Sequence, residues 1–181
     1  MKSLVLSFLM ALAFLQRTPR EIIIWEAGQK LAWADFKGTP KINSNAVAVT
    51  SSGIGYKLIT RTDQGNSNYE VVVFAYFSTQ DSWYKPKYVN DNVLAHEQLH
   101  FDITALYAQK LIYEIGKLSF NDDVELELEK MHDRITIEMD SVQKAYDKQT
   151  ESSVHESAQV LWQSKIEGKL KKYLKLNSRK R

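Results

Sequence analysis

The stretch Asn90-Asp91-Asn92-Val93-Leu94-Ala95-His96-Glu97-Gln98-Leu99-His100-Phe101-Asp102-Ile103 opens the segment that decides the fold. Leu94, Phe101, Ala105, Ala108, Ile112 and Ile115 recur at three- and four-residue steps, which predicts a helix that Asn90 or Asp91 caps and Gly116 ends. His96-Glu97-Gln98-Leu99-His100 lies inside it. Residues four apart share one face of a helix, so both imidazoles can reach one zinc ion while Glu97 stands beside them to act on water. The alternative is two surface histidines near a solvated glutamate. Without cysteine, any metal must sit on His, Asp or Glu.

Upstream of this helix the sequence has strand character. Ile22-Ile23-Ile24-Trp25 is a short β-branched run, Ala46 to Thr50 leads through Ser and Gly into Ile54 to Ile59, and Tyr69 to Phe77 is rich in Val, Phe and Tyr. Gly65-Asn66-Ser67-Asn68 between the last two signals a hairpin. Downstream, a second helix is expected from Asp122 to about Lys148 and a third over about His155 to Leu174. Strands followed by helices imply an α+β fold, a small antiparallel sheet with three helices to one side.

The chain has 181 residues, 44% hydrophobic and 25% charged, which suits one domain and excludes collagen-like or disordered classes. Lys2 precedes an apolar or small run from Ser3 to Leu15, too short to span a bilayer, with Ala11-Leu12-Ala13 as a small-x-small site, so residues 1–19 read as a signal peptide, an uncleaved anchor being the alternative. The expectation is a secreted or periplasmic protein with no stable transmembrane anchor, one domain over 20–176 and a basic tail over 177–181. The net charge of +2 conceals a split: residues 165–181 carry eight Lys/Arg against Glu167 (+7) and residues 1–20 carry three (+3), leaving 2 − 7 − 3 = −8 for residues 21–164. An acidic body argues against nucleic-acid binding. The basic C-terminus reads as a solvated, frayed end with at most weak contact to an anionic envelope.

Catalytic zinc needs three protein ligands and an open position. If the first two long helices form a hairpin turning near Phe120-Asn121, His96 faces about Ala145 and His100 about Ser141, bringing Asp140, Tyr146 and Asp147 close, with Glu138 one turn away. His132 falls more than two turns from the site and reads as a surface residue. His155, just after the second helix, can fold back and is taken as the third ligand, with Asp147 as the alternative. Tyr146 is a candidate donor to a developing oxyanion, or else a packed core tyrosine. Asp102 lies off the ligand face, either orienting a histidine or only packing. The strand Val71 to Phe77 is the candidate edge for pairing an extended substrate.

These residues resemble a bacterial domain-of-unknown-function family of predicted secreted zinc-dependent proteases. The resemblance rests on Leu31-Ala32-Trp33-Ala34-Asp35-Phe36-Lys37-Gly38, Ala48-x-Thr50, Ile54-x-Tyr56, Ser82-Trp83, Leu94 to Ile103, Tyr146 to Thr150 and Gln159-x-x-Trp162. It implies a zincin-like metallopeptidase with the H-E-x-x-H on the first long helix. In that family a histidine usually follows two residues after the threonine matching Thr150; here Ser152 stands there, so the third ligand is lost, moved to His155, or supplied by Asp147.

The leading expectation is therefore a secreted zinc metallopeptidase acting on a peptide or protein, with Zn2+ on His96, His100 and a third side chain and Glu97 as general base. The alternatives are a zinc-stabilised, non-catalytic envelope binding module, in which four protein ligands close the metal's coordination, and a metal-free scaffold whose four Trp and nine Tyr serve core and partner contacts.

Overall fold

A computed structural model describes residues 21–63, 66–118 and 123–179; the signal-peptide reading of 1–19 lies outside them. Five strands, β1 (Ile22–Ile24), β2 (Ala48–Val49), β3 (Ser52–Asp63), β4 (Asn66–Ser78) and β5 (Trp83–Tyr84), precede three helices, α1 (Asp91–Ile115), α2 (Val124–Thr150) and α3 (Glu156–Ser178). The class is α+β, as expected. The strands divide into two antiparallel sheets, β1-β4-β3 and a short β2-β5 pair.

The β3-β4 hairpin follows period-two chemistry. Ile54 and Ala75 are paired, and with Phe77 they are buried against the helices, while Tyr56, Leu58, Val71 and Val73 continue the same face. On the other face Phe74 and Tyr76 lie directly over Gly55 and Gly53: a Cβ on either glycine would come within 2.5–2.6 Å of the opposing ring or its hydroxyl. The close approach of the aromatics explains both glycines. Pairing runs to Asp63 opposite Asn66, so Asn66 to Asn68, expected in the turn, belong to β4.

α1 is the central element, touching the sheet, α2 and α3. Asn90 caps it, its Oδ1 accepting from the Val93 N–H at 3.0 Å, and Gly116 closes it. Phe101, Ile103, Ala105, Leu106, Ala108 and Leu111 are almost wholly buried, which is why its apolar positions are not confined to a single stripe. α2 packs antiparallel on α1, and α3 covers α1 through Trp162, Ile166 and Leu170. The C-terminus differs from the frayed reading: Lys169, Lys171, Lys172 and Lys175 are helical, and α3 continues two residues past the expected boundary at 176. No described helix is long and apolar enough to cross a membrane.

Candidate metal centre

Helical spacing in α1 turns His96 and His100 to the same side, with their Nε2 atoms 3.1 Å apart. α2 brings in Asp147, whose Oδ1 lies 3.1 Å from Nε2 of His96 and 2.9 Å from Nε2 of His100. Among the described residues these three form a cluster able to hold a metal ion. Against the expectation of His155, the structure brings the alternative, Asp147, to the two histidines. His155 sits instead at the start of α3, half exposed, with its Nε2 3.0 Å from the Glu151 carboxylate. Asp140 does not join the cluster, and Glu138 pairs with Lys110 and Arg134.

Two amides that the sequence reading missed fix the imidazoles. The Gln159 side-chain NH2 donates to the backbone carbonyl and Oδ1 of Asn92, both at 3.0 Å, which leaves Gln159 Oε1 facing Nδ1 of His96 at 3.2 Å. The Gln143 NH2 donates to the His100 carbonyl at 2.9 Å and to Thr104 Oγ1 at 3.3 Å, so Gln143 Oε1 faces Nδ1 of His100. A carbonyl oxygen only accepts, so each Nδ1 must donate, and each neutral ring presents a bare lone pair at Nε2. Two lone pairs and a carboxylate oxygen thus meet within about 3 Å. Such a set is repulsive unless a cation, proton or metal, sits among them. The one prior signal was Gln159 in the Gln159-x-x-Trp162 stretch of the resemblance.

The titration of the centre follows this crowding. Burial works against a charged His100, but the Asp147 hydrogen bond and the nearby Glu97 and Asp147 charges outweigh it and lift its pKa above 6.5. Burial likewise opposes ionisation of Asp147, yet hydrogen bonds from His100 and His96 hold its carboxyl well below the usual carboxylate range.

Glu97 is 5% exposed, and its Oε2 is buried with no hydrogen-bond partner among the described residues. It lines a cleft of ≈ 190 Å³ together with His96, His100, Asp147 and Ser152, facing the segment Ala46–Thr50 that carries strand β2. Thr50 Oγ1 donates to the Glu97 carbonyl at 3.1 Å and ties that backbone to α1. The strand beside the centre is therefore β2. Val71–Phe77, expected as a substrate edge, pairs along its length with β3 and only from Tyr76 onward with β1, so its β1 side has no strand partner before Tyr76 among the described residues, but it does not line the cleft.

Tyr146 is fully buried. Its ring stacks on His96 with centroids 4.5 Å apart, meets His100 edge-on at 5.0 Å, and its hydroxyl points to the His96 carbonyl at 3.5 Å. It is the packed core tyrosine, a wall behind both imidazoles, and burial raises its pKa strongly. An oxyanion donor would need its hydroxyl in the cleft, which Tyr146 does not line. Asp102 orients no histidine: it accepts from Trp25 Nε1 at 2.8 Å and Gln98 Nε2 at 3.0 Å, anchoring the N-terminal segment. His132, expected on the surface, is half-buried, with Nε2 2.9 Å from the Ile54 carbonyl and its ring against Tyr56.

The donor set fits a zinc ion. Tetrahedral bonds of about 2.0–2.1 Å place ligand atoms about 3.3 Å apart, and the edges here are 3.1, 3.1 and 2.9 Å. The unpartnered Glu97 oxygen is what a water beside that ion would satisfy. No curated protein and no solved structure matches the chain. Residues 75–156, which carry His96, Glu97, His100, Gln143 and Asp147, match a family model described as "Bacterial protein of unknown function (DUF922)".

Proposed function

We propose that the protein is an exported zinc-dependent metallopeptidase. The observation that carries this reading is the meeting of three ligand atoms on His96, His100 and Asp147 beside a buried carboxylate oxygen of Glu97 with no partner among the described residues. Bound zinc supplies Lewis-acid polarisation and acidifies water. Glu97 takes the proton of a water in the cleft and passes it to the leaving amine. His96 and His100 keep their Nε2 lone pairs forward because Gln159 and Gln143 hold their Nδ1 protons. The 46–50 segment, with strand β2 at Ala48–Val49, forms the opposite wall and suits an extended peptide lying between it and α1. Three protein ligands favour this reading over a zinc-stabilised module, which wants a fourth. Export rests on the apolar run after Lys2.

The test is metal content followed by proteolysis. About one zinc per chain is expected, lost in His96→Ala. Glu97→Gln should retain the zinc and lose roughly 10²–10⁴-fold in peptide hydrolysis. Full activity in Glu97→Gln overturns the mechanism, and iron in place of zinc overturns the cofactor.

A further inference from the structure

We propose that the solvent face of α3 between Lys165 and Arg179 is a docking surface for an anionic phospholipid bilayer. The inward face of α3 is fixed by Gln159, Trp162, Ile166 and Leu170, which are buried. At 100° per residue the opposite direction is occupied by Lys165, Gly168, Lys171, Lys172, Lys175 and Arg179, and every one of these is exposed. The only acid of this stretch, Glu167, stands at the margin of the stripe. None of Lys171, Lys172, Lys175 and Arg179 is in an ion pair with a described residue.

The stripe has relief as well as charge. Gly168 leaves a gap, since a Cβ built there would meet nothing within 4 Å, and the gap opens into a shallow depression of ≈ 390 Å³ bordered by the same three lysines, Leu176 and Arg179. Four cations around a shallow hollow suit a phosphate headgroup. Further up the same face Val160 and Leu161 are 64% and 73% exposed, large apolar side chains that a membrane interface would cover. The rest of the chain reinforces the orientation, because residues 21–164 sum to −8 and are repelled by the surface that attracts α3. No aromatic ring lies on this face to stack on bases, which favours lipid over single-stranded nucleic acid. The hollow begins at Gly168, nine residues or about 14 Å along the helix from Gln159, and the stripe points away from the buried face of α3 on which Gln159 meets His96, so docking leaves the His96 cleft open.

The experiment is sedimentation of the full chain with vesicles of three parts phosphatidylcholine to one part phosphatidylglycerol, against pure phosphatidylcholine. The comparison is wild type against Lys171→Gln/Lys172→Gln/Lys175→Gln/Arg179→Gln, and the apolar run near the N-terminus is present in both and cancels. Binding should favour anionic vesicles, weaken with salt, and drop about fivefold per charge removed. Lys171→Arg/Lys172→Arg/Lys175→Arg should bind like wild type, and zinc content should be unchanged throughout. Equal binding to both vesicle types, or wild-type binding by the quadruple variant with native circular dichroism, overturns the proposal. So does release by inorganic phosphate at matched ionic strength, which would make the hollow a free-phosphate site, or equal affinity for duplex DNA at matched charge.

Discussion

Loading the centre with zinc should expel a proton, and the pH dependence of zinc's stabilising effect measures it. Without metal, the crowded Nε2 atoms and Asp147 oxygen are compatible when His100 is protonated, which its raised pKa favours. In the metal-free protein that proton contributes stability that is fully present below pH 6.5 and lost as pH rises through the folded pKa of His100. Asp147 acts at the other end: its depressed pKa contributes stability present above 3.8 and lost only as pH falls through its much lower folded value. Zinc takes the place of the His100 proton, so below the folded pKa of His100 its apparent affinity should rise about tenfold, or about 1.4 kcal/mol, per pH unit, and level off above. For a chain of this size that is about 3–6 °C in Tm per pH unit. The assay is thermal unfolding with chelator or with excess zinc from about pH 5 to 8, taking the difference in Tm at each pH so that other titrating groups cancel. A difference that does not change with pH would refute the reasoning, because metal and proton would not then compete for one place.

Three further outcomes follow from the same contacts. Gln159→Leu removes the acceptor at His96 Nδ1 and should weaken zinc binding about 10–100-fold by competition titration, while Gln159→Glu, which keeps the acceptor but loses the NH2 anchor on Asn92, should restore only part of it; unchanged affinity in the leucine variant would remove Gln159 from any orienting role. Asp147→Asn should lower zinc affinity while His155→Ala leaves it unchanged, and the reverse pattern would make His155 the third ligand. Ser152 lines the cleft at φ 50°, a conformation histidine tolerates comparatively well, so Ser152→His should tighten zinc binding and slow hydrolysis by filling the open position; weaker binding would show that this position does not face the metal.

The helices were legible because their signals are local. The Asn90 cap, the Gly116 stop and the His96 to His100 spacing each depend on neighbours within four residues, and all three recur in α1. The hairpin was legible in kind but not in register, since Asn66 to Asn68 have turn chemistry yet are carried into β4 by pairing that runs to Asp63. Helix pairing brought Asp147 near His96 on a simple antiparallel count, but that count could not separate Asp147 from Asp140 or His155, whose exclusion depends on helix rotation and on the Glu151 contact. Gln143 and Gln159 lie 43 and 63 residues from the histidines they orient, and their role depends on where each amide's other end is bound. Tyr146 shows the same limit: nothing in its sequence position says whether the hydroxyl faces the cleft or the His96 carbonyl.

The placement of Asp147 also depends on backbone strain. Immediately after α2, Glu151, Ser152 and Ser153 take φ of 46°, 50° and 84°, three successive left-handed residues without a glycine, each costing about 1–3 kcal/mol. The reversal is over-determined: Ser152 N–H donates to the Asp147 carbonyl at 2.9 Å, His155 N–H to the Thr150 carbonyl at 2.8 Å, and Asn92 Nδ2 to the Ser153 carbonyl at 2.7 Å. Asn92 also receives the Gln159 amide whose other end orients His96. One network rooted in the first turn of α1 therefore sets the exit of α2 that bears Asp147, the entry of α3 that bears Gln159, and the tautomer of His96. The strained turn and the His96, His100 and Asp147 triangle thus share one set of contacts. A metal held there would add its free energy to the packing of all three helices, and loosening the turn should move Asp147 and His96 together.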